Sequence, residues 1–133
     1  MAEANIRWTG GRTFIGVDST QHAVVMSSPR EGIGMKASEL LLVALATCSS
    51  YDVVSILEKR KLNLTKLEVS VTGEQAADPP WPYEKIHLKY VLAGDGVTKD
   101  AAEKAIELSQ SKYCSVAATV RGVAEITWEC IIE

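Results

Sequence analysis

The sequence predicts a single α+β domain over residues 1–133, and three observations carry that prediction. Short apolar runs broken by turn residues fill the first 26 positions, a long stretch without Gly or Pro follows, and period-two alternation returns in the second half around a further helical stretch. No repeat at a fixed period and no low-complexity segment points to another architecture. With 47% hydrophobic residues, the chain has ample material for one core.

Taken in order, Ile6 and Trp8, then Phe14, Ile15 and Val17, then Ala23 to Met26 read as three strands. Thr9-Gly10-Gly11 and Asp18-Ser19-Thr20 supply the tight turns between them. Ser27 to Gly34, with Pro29 and two glycines, is a loop. From about Met35 to Arg60 the composition is that of a helix, rich in Leu, Ala and Glu. Its first half, Leu40 to Ala46, is apolar on every side, as suits a central helix enclosed by protein. It closes on Glu58-Lys59-Arg60-Lys61, positive charge that complements a helix C-terminus. Leu67, Val69 and Val71 alternate with polar residues as a half-buried strand. Tyr83 to Leu92 is its pairing partner, beyond the loop Asp78-Pro79-Pro80-Trp81-Pro82. Thr98 caps a second helix over Lys99 to Ser111, with Ala102, Ala105, Ile106 and Ser109 on one face. A break and a short helix occupy Tyr113 to Val120, and Ile126, Trp128, Cys130 and Ile132 alternate in a last strand.

Composition excludes several function classes. A net charge of −3 leaves no basic surplus to hold a phosphate backbone, so nucleic acid is not an expected partner. No unbroken apolar run approaches the roughly 20 residues of a membrane span, and Met1 to Arg7 lack the apolar stretch of a secretory signal. The expectation is a cytoplasmic protein with no membrane partner. Three cysteines are too few and too odd in number for a secreted disulfide framework. His22 and His87 stand alone and no CxxC or HxxxH pair occurs, so neither a metal nor a cofactor is expected.

The three cysteines differ in setting. Cys48 lies where the wholly apolar half of the long helix gives way to Thr47, Ser49, Ser50 and Asp52; it is a small buried hydrophobe or a nucleophile. Cys114 falls between two helices, where free backbone N–H groups favour a thiolate and lower its pKa, or where it simply packs. Cys130 points with the core side of the last strand. Trp81, in its proline-rich loop, either covers an apolar pocket or packs on a partner subunit.

The segment Glu39-Leu40-Leu41-Leu42-Val43-Ala44-Leu45-Ala46-Thr47-Cys48 resembles the first-cysteine helix of the OsmC/Ohr family, the osmotically inducible and organic hydroperoxide resistance proteins. Lys112-Tyr113-Cys114-Ser115-Val116-Ala117 is similar to that family's second-cysteine motif. Thr9-Gly10-Gly11-Arg12 resembles the turn that presents the family's arginine, and Pro29-Arg30-Glu31 the loop before the helix. The likeness runs in order along nearly the whole chain.

This resemblance implies an OsmC-like fold of antiparallel sheets around a long buried central helix, assembled as an intertwined homodimer. It also implies a thiol-dependent peroxidase acting on organic hydroperoxides. Cys48 would be the nucleophile, Cys114 the thiol that resolves its sulfenic acid into a disulfide, and Arg12 the charge that holds the thiolate and orients the peroxide. An external dithiol would reset the pair. Two positions depart from the family pattern. Ser38 stands ten residues before Cys48, where hydroperoxide-resistance members carry the glutamate that pairs with the arginine. Glu39, nine before, falls roughly opposite Cys48 at about 100° per residue. Asp52, one turn beyond Cys48, is the other acidic candidate, though an anion there raises the thiol pKa. Ser115 follows Cys114 where the family usually has proline. The alternatives to peroxidase chemistry are a non-enzymatic OsmC-like protein that binds a small apolar ligand or senses redox state, and an interaction protein with inert thiols.

Overall fold

The glycine and aspartate turns at the start of the chain fold it back on itself twice. In the computed structural model, which describes residues 1–133, β1 (Ala4–Gly10), β2 (Thr13–Asp18) and β3 (Ala23–Ser27) form an antiparallel sheet in the order β1-β2-β3. The first turn needs left-handed backbone, which Gly10 at φ 115° and Gly11 at φ 53° supply. The second closes when the Asp18 carboxylate accepts the Thr20 N–H at 3.0 Å and the Thr20 hydroxyl at 2.7 Å. These strands belong to one compact unit, Met1–Leu41; the remainder, Leu42–Glu133, forms another.

The long helix α1 (Ala37–Lys59) begins in the first unit and runs mostly in the second. Glu39 in its first turn and Lys59 in its last complement its dipole. Leu45, Ser49, Val53 and Leu57, spaced by four, are completely buried. Leu41, Val43 and Val54 remain about two-fifths exposed and Tyr51 more so. One chain therefore covers one stripe of a helix whose sequence is apolar all round. By length and composition α1 could cross a membrane. A search for an unbroken apolar run passes over it because Thr47, Ser49, Ser50 and Asp52 interrupt the pattern.

The second sheet, β4 (Asn63–Gln75), β5 (Tyr83–Asp95) and β6 (Glu125–Ile132), has the order β4-β5-β6. Central β5 buries Ile86, Leu88, Tyr90 and Leu92 on one face. The β4–β5 pair is antiparallel, as expected, but β6 runs parallel to β5, from Lys85↔Glu125 to Leu92↔Ile132. The physical reason lies in the connection: a long, mostly helical crossover joins β5 to β6, and such a crossover returns a strand in the same direction. That crossover holds α2 (Lys99–Leu108), a π-turn (Ser109–Tyr113) and α3 (Ser115–Val120). Thr98 caps α2 by accepting the Ala101 N–H at 3.1 Å; Ala102, Ala105, Ile106 and Ser109 are buried, as the periodicity predicts, and Ala101 is buried with them. Cys130 is buried on the core side of β6.

Candidate active site

Cys48 and Cys114, distant in sequence, meet in the second unit. Cys48 follows from the register of α1: it precedes the buried Ser49, so its side chain lies at the margin of the buried stripe and is half-buried. Cys114 is the N-cap of α3, with extended backbone (φ −76°, ψ 107°), and its Sγ accepts the Ala117 N–H at 3.3 Å. Only 2% of it is exposed. All three cysteines are free thiols.

The Cys48 and Cys114 thiols are near enough for each to shift the other's ionisation. Cys48 Sγ lies 3.9 Å from the Ser115 hydroxyl, in the field of the backbone N–H groups of Val116 and Ser115. Burial by itself would raise the Cys48 thiol. The N–H of Val116, the Cys114 thiol and both Ser115 donors outweigh it, so Cys48 sits below its ordinary pKa. Cys114 moves the other way. Burial pushes it up to about 11 despite the Ala117 N–H, and the neighbouring Cys48 charge adds to the rise.

Of the two readings of Cys114, a thiolate favoured by free N–H groups or a residue that packs, the rise in its pKa favours the second. The N–H groups of the first turn of α3 do stabilise a thiolate, but Ser115 and Val116 aim theirs at Cys48. Cys114 itself is too deeply buried, and too near a competing negative charge, to ionise first. Cys114 therefore keeps its proton at neutral pH, near a Cys48 sulfur that carries the charge more readily.

Asp52 and Ser115 belong to the same neighbourhood. Asp52 Oδ2 accepts the Ser109 hydroxyl at 2.7 Å, just before the segment that leads to Cys114. An open groove of about 670 Å³ runs alongside, lined by Tyr51, Asp52, Ile56, Leu108 and Tyr113 among others. Trp81 lies elsewhere in the second unit, half exposed at the tip of the β4–β5 loop. Its main chain is held by the Asp78 carbonyl at 2.9 Å and the Gln75 side chain at 3.0 Å.

Arg12 belongs to the first unit, exposed at the end of the β1–β2 turn. Its N–H donates to Glu31 Oε1 at 2.7 Å, and Glu31 Oε2 accepts the Thr13 hydroxyl. The Arg12 carbonyl accepts the Ser28 N–H at 3.1 Å, so the 28–31 loop clasps the arginine's backbone from both sides. The hydroxyl of Thr13, then the N–H and charge of Arg12, hold the Glu31 carboxyl below its ordinary range. A Cβ at Gly11 would run into Glu31 Oε1, so the glycine serves this approach as well as its φ. Glu39 is exposed in the first turn of α1.

Sequence reasoning missed Glu31 as the residue that fixes the Arg12 turn, although the Pro29-Arg30-Glu31 loop carries part of the family likeness. It also missed Ser49, Tyr90 and Gln110, whose polar groups meet in the core beside the cysteines. The only signal for that cluster was a serine, Ser109, on the buried face of a helix.

A family model described as OsmC-like protein matches residues 30–129. Protein YhfA of Escherichia coli strain K12 is 32% identical over 125 residues, which is 94% of this chain and 93% of YhfA. The crystal structure of a protein from Aquifex aeolicus VF5 superposes with a TM-score of 0.86 at 32% identity, covering 100% of this chain and 98% of that one. OhrB of Bacillus subtilis, an organic hydroperoxide resistance protein, has a TM-score of 0.66 at 16% identity, over 98% of this chain and 97% of OhrB, a likeness of fold.

Proposed function

The chain belongs to the OsmC-like family, and from that premise we propose that it is a cytoplasmic thiol peroxidase that reduces organic hydroperoxides. The observation that carries this reading is the placement of two free thiols together, Cys48 Sγ lying 3.9 Å from the hydroxyl of the residue after Cys114, with Cys48 below its ordinary pKa and Cys114 pushed up to about 11. A nucleophile that ionises early beside a partner that keeps its proton is what a two-cysteine cycle requires.

In this cycle the Cys48 thiolate attacks the terminal oxygen of the hydroperoxide. The S–O bond forms as the O–O bond breaks, and the departing alkoxide takes a proton to leave as alcohol. Cys114 then attacks the Cys48 sulfenic sulfur; the S–S bond forms, the S–O bond breaks, and the hydroxide departs as water with the Cys114 proton. An external dithiol reduces the disulfide by two exchange steps. Arg12 supplies permanent charge that steadies the Cys48 thiolate and aligns the peroxide, with Glu31 fixing the turn that carries it.

The assembly proposed is a homodimer. Ile6, Trp8, Leu41, Val43, Tyr51 and Val54 are exposed in one chain, a quantity of apolar surface that supports this reading. Trp81 fits the same reading as a side chain that packs on the partner subunit. Sedimentation should give twice the 14.4 kDa of the chain.

One equivalent of cumene hydroperoxide added to the reduced protein by stopped flow, followed by mass spectrometry, tests the chemistry. Loss of two hydrogens and a Cys48–Cys114 bridged peptide is the expected result. Unchanged free thiols on a folded dimer would overturn it and favour a small-ligand-binding role for the same fold.

A further inference from the structure

We infer that the π-turn Ser109–Tyr113 is a positioning device that sets Cys114 against Cys48, held open by Ser49, Tyr90 and Gln110 and locked by Arg121. This rests on the two-cysteine reading and adds the residues that make the pairing geometric rather than accidental.

In a regular α-helix consecutive residues point about 100° apart, and the N–H of residue 114 would bond to the carbonyl of residue 110. Here the Cys114 N–H bonds to the Ser109 carbonyl at 2.8 Å, one residue further back. The wider turn brings the side chains of adjacent residues Ser109 and Gln110 onto one partner, Ser49. The Ser109 hydroxyl lies 3.1 Å from Ser49 Oγ and donates to Asp52 at 2.7 Å; Gln110 Nε2 donates to Ser49 Oγ at 3.2 Å and to the Tyr90 hydroxyl at 2.9 Å. Ser49 and Tyr90 close the ring at 2.6 Å.

Ser49, Tyr90 and Ser109 are completely buried and Gln110 nearly so, and no buried side-chain polar atom is left without a partner. Apolar side chains would fill this space at no desolvation cost, whereas a satisfied polar ring fixes directions as well as distances. The carbonyl that the π-turn releases from the helix, that of Gln110, is taken by Arg121 Nη1 at 3.0 Å. Relaxation to an α-helix would have to break that bond. It would also rotate the downstream chain by about 100° and shift it by about 1.5 Å, carrying Cys114 away from Cys48. Since Ser49 directly follows Cys48, one ring holds both thiols.

The test is the equilibrium of the dithiol with glutathione disulfide, in which each Cys48–Cys114 bridge formed consumes one glutathione disulfide and releases two glutathiones. Bridge content is counted by mass spectrometry across a series of redox buffers for wild type, Arg121→Leu, Arg121→Lys and Tyr90→Phe. Tyr90→Phe keeps the ring that packs edge-on against Trp128 at 6.4 Å, so the fold survives that change. Arg121→Leu should lower the bridging constant about tenfold and Tyr90→Phe by less, while Arg121→Lys restores part of the loss. Alkylation of Cys48 by iodoacetamide should change less than about twofold, since its own donors remain. Wild-type bridging constants in Arg121→Leu and Tyr90→Phe would overturn the positioning role, as would equal losses in bridging and alkylation, which mark a general loosening. A wild-type protein that forms no bridge in any buffer would overturn the two-cysteine reading itself, and the positioning role with it.

Discussion

Between Leu42 and Glu133 the chain covers its own core: every buried hydrophobic side chain, from Leu45 to Cys130, lies there. Between Met1 and Leu41 the side chains that are buried include Thr13 and Ser27, while Ile6, Trp8 and Ile33 are each more than half exposed. The contrast separates two kinds of functional residue. The thiol pair is built by one unit's own packing, with burial raising Cys114 and fixed N–H groups lowering Cys48. Arg12 is held locally, by Glu31 and Ser28, on a sheet whose Ile6 and Trp8 are exposed. On the proposed reading, folding of one chain makes the nucleophile, and assembly governs what the arginine adds.

The largest effects should come from the self-contained unit. Cys48→Ser should abolish peroxide consumption altogether. Cys114→Ser should leave one rapid turnover and trap Cys48 as a sulfenic acid, scored by dimedone labelling and mass spectrometry. Sustained turnover in either variant would remove that residue from its role. A change in the first unit should do less and do it differently. Arg12→Leu should slow the attack on cumene hydroperoxide by roughly a hundredfold, the range for removing one preorganised electrostatic group. Arg12→Lys should fall between, keeping charge without the planar fork. In both, the Cys48–Cys114 bridging constant against glutathione should stay at the wild-type value. A fall in that constant would mean that the two regions do not divide the work in this way.

The same contrast explains what was legible in the sequence. Strand and helix placement followed from period and punctuation, since Gly10-Gly11, Asp18 and Thr98 each have one local conformation that suits them. The parallel return of β6 was not legible, because alternation reports which face is buried and not the direction of the neighbour. Cys48 and Cys114 were legible through their flanking motifs. Their relative acidity was not: the rule that a helix N-terminus acidifies a thiol points to the cysteine nearest in sequence, whereas Ser115 and Val116 serve the cysteine nearest in space. Ser49, Tyr90 and Gln110 were invisible for a related reason. A polar residue in an apolar stretch is read as a boundary, and only three-dimensional packing shows that four such residues, with Ser109, satisfy one another.

The smallest expected effect is also the most direct measure of what burial does to Cys114. Its folded-state pKa is raised from an ordinary 9.0 to about 11. Below pH 9 both the folded and the unfolded chain hold the proton, and the stabilising contribution is fully present. As pH rises from about 9 to about 11 the unfolded chain gives up the proton while the folded one keeps it, so the contribution falls and is gone above the folded value. Cys48, lowered in the fold, behaves oppositely and acts at lower pH, its contribution being lost as pH falls through its folded pKa. Urea unfolding of the reduced protein should therefore show a stability difference between wild type and Cys114→Ser that shrinks from pH 9 to pH 11. Contributions common to both proteins largely cancel from that difference. A difference that stays flat across this window would mean that Cys114 is not desolvated in solution, and that the order in which the two thiols ionise is set by something other than burial.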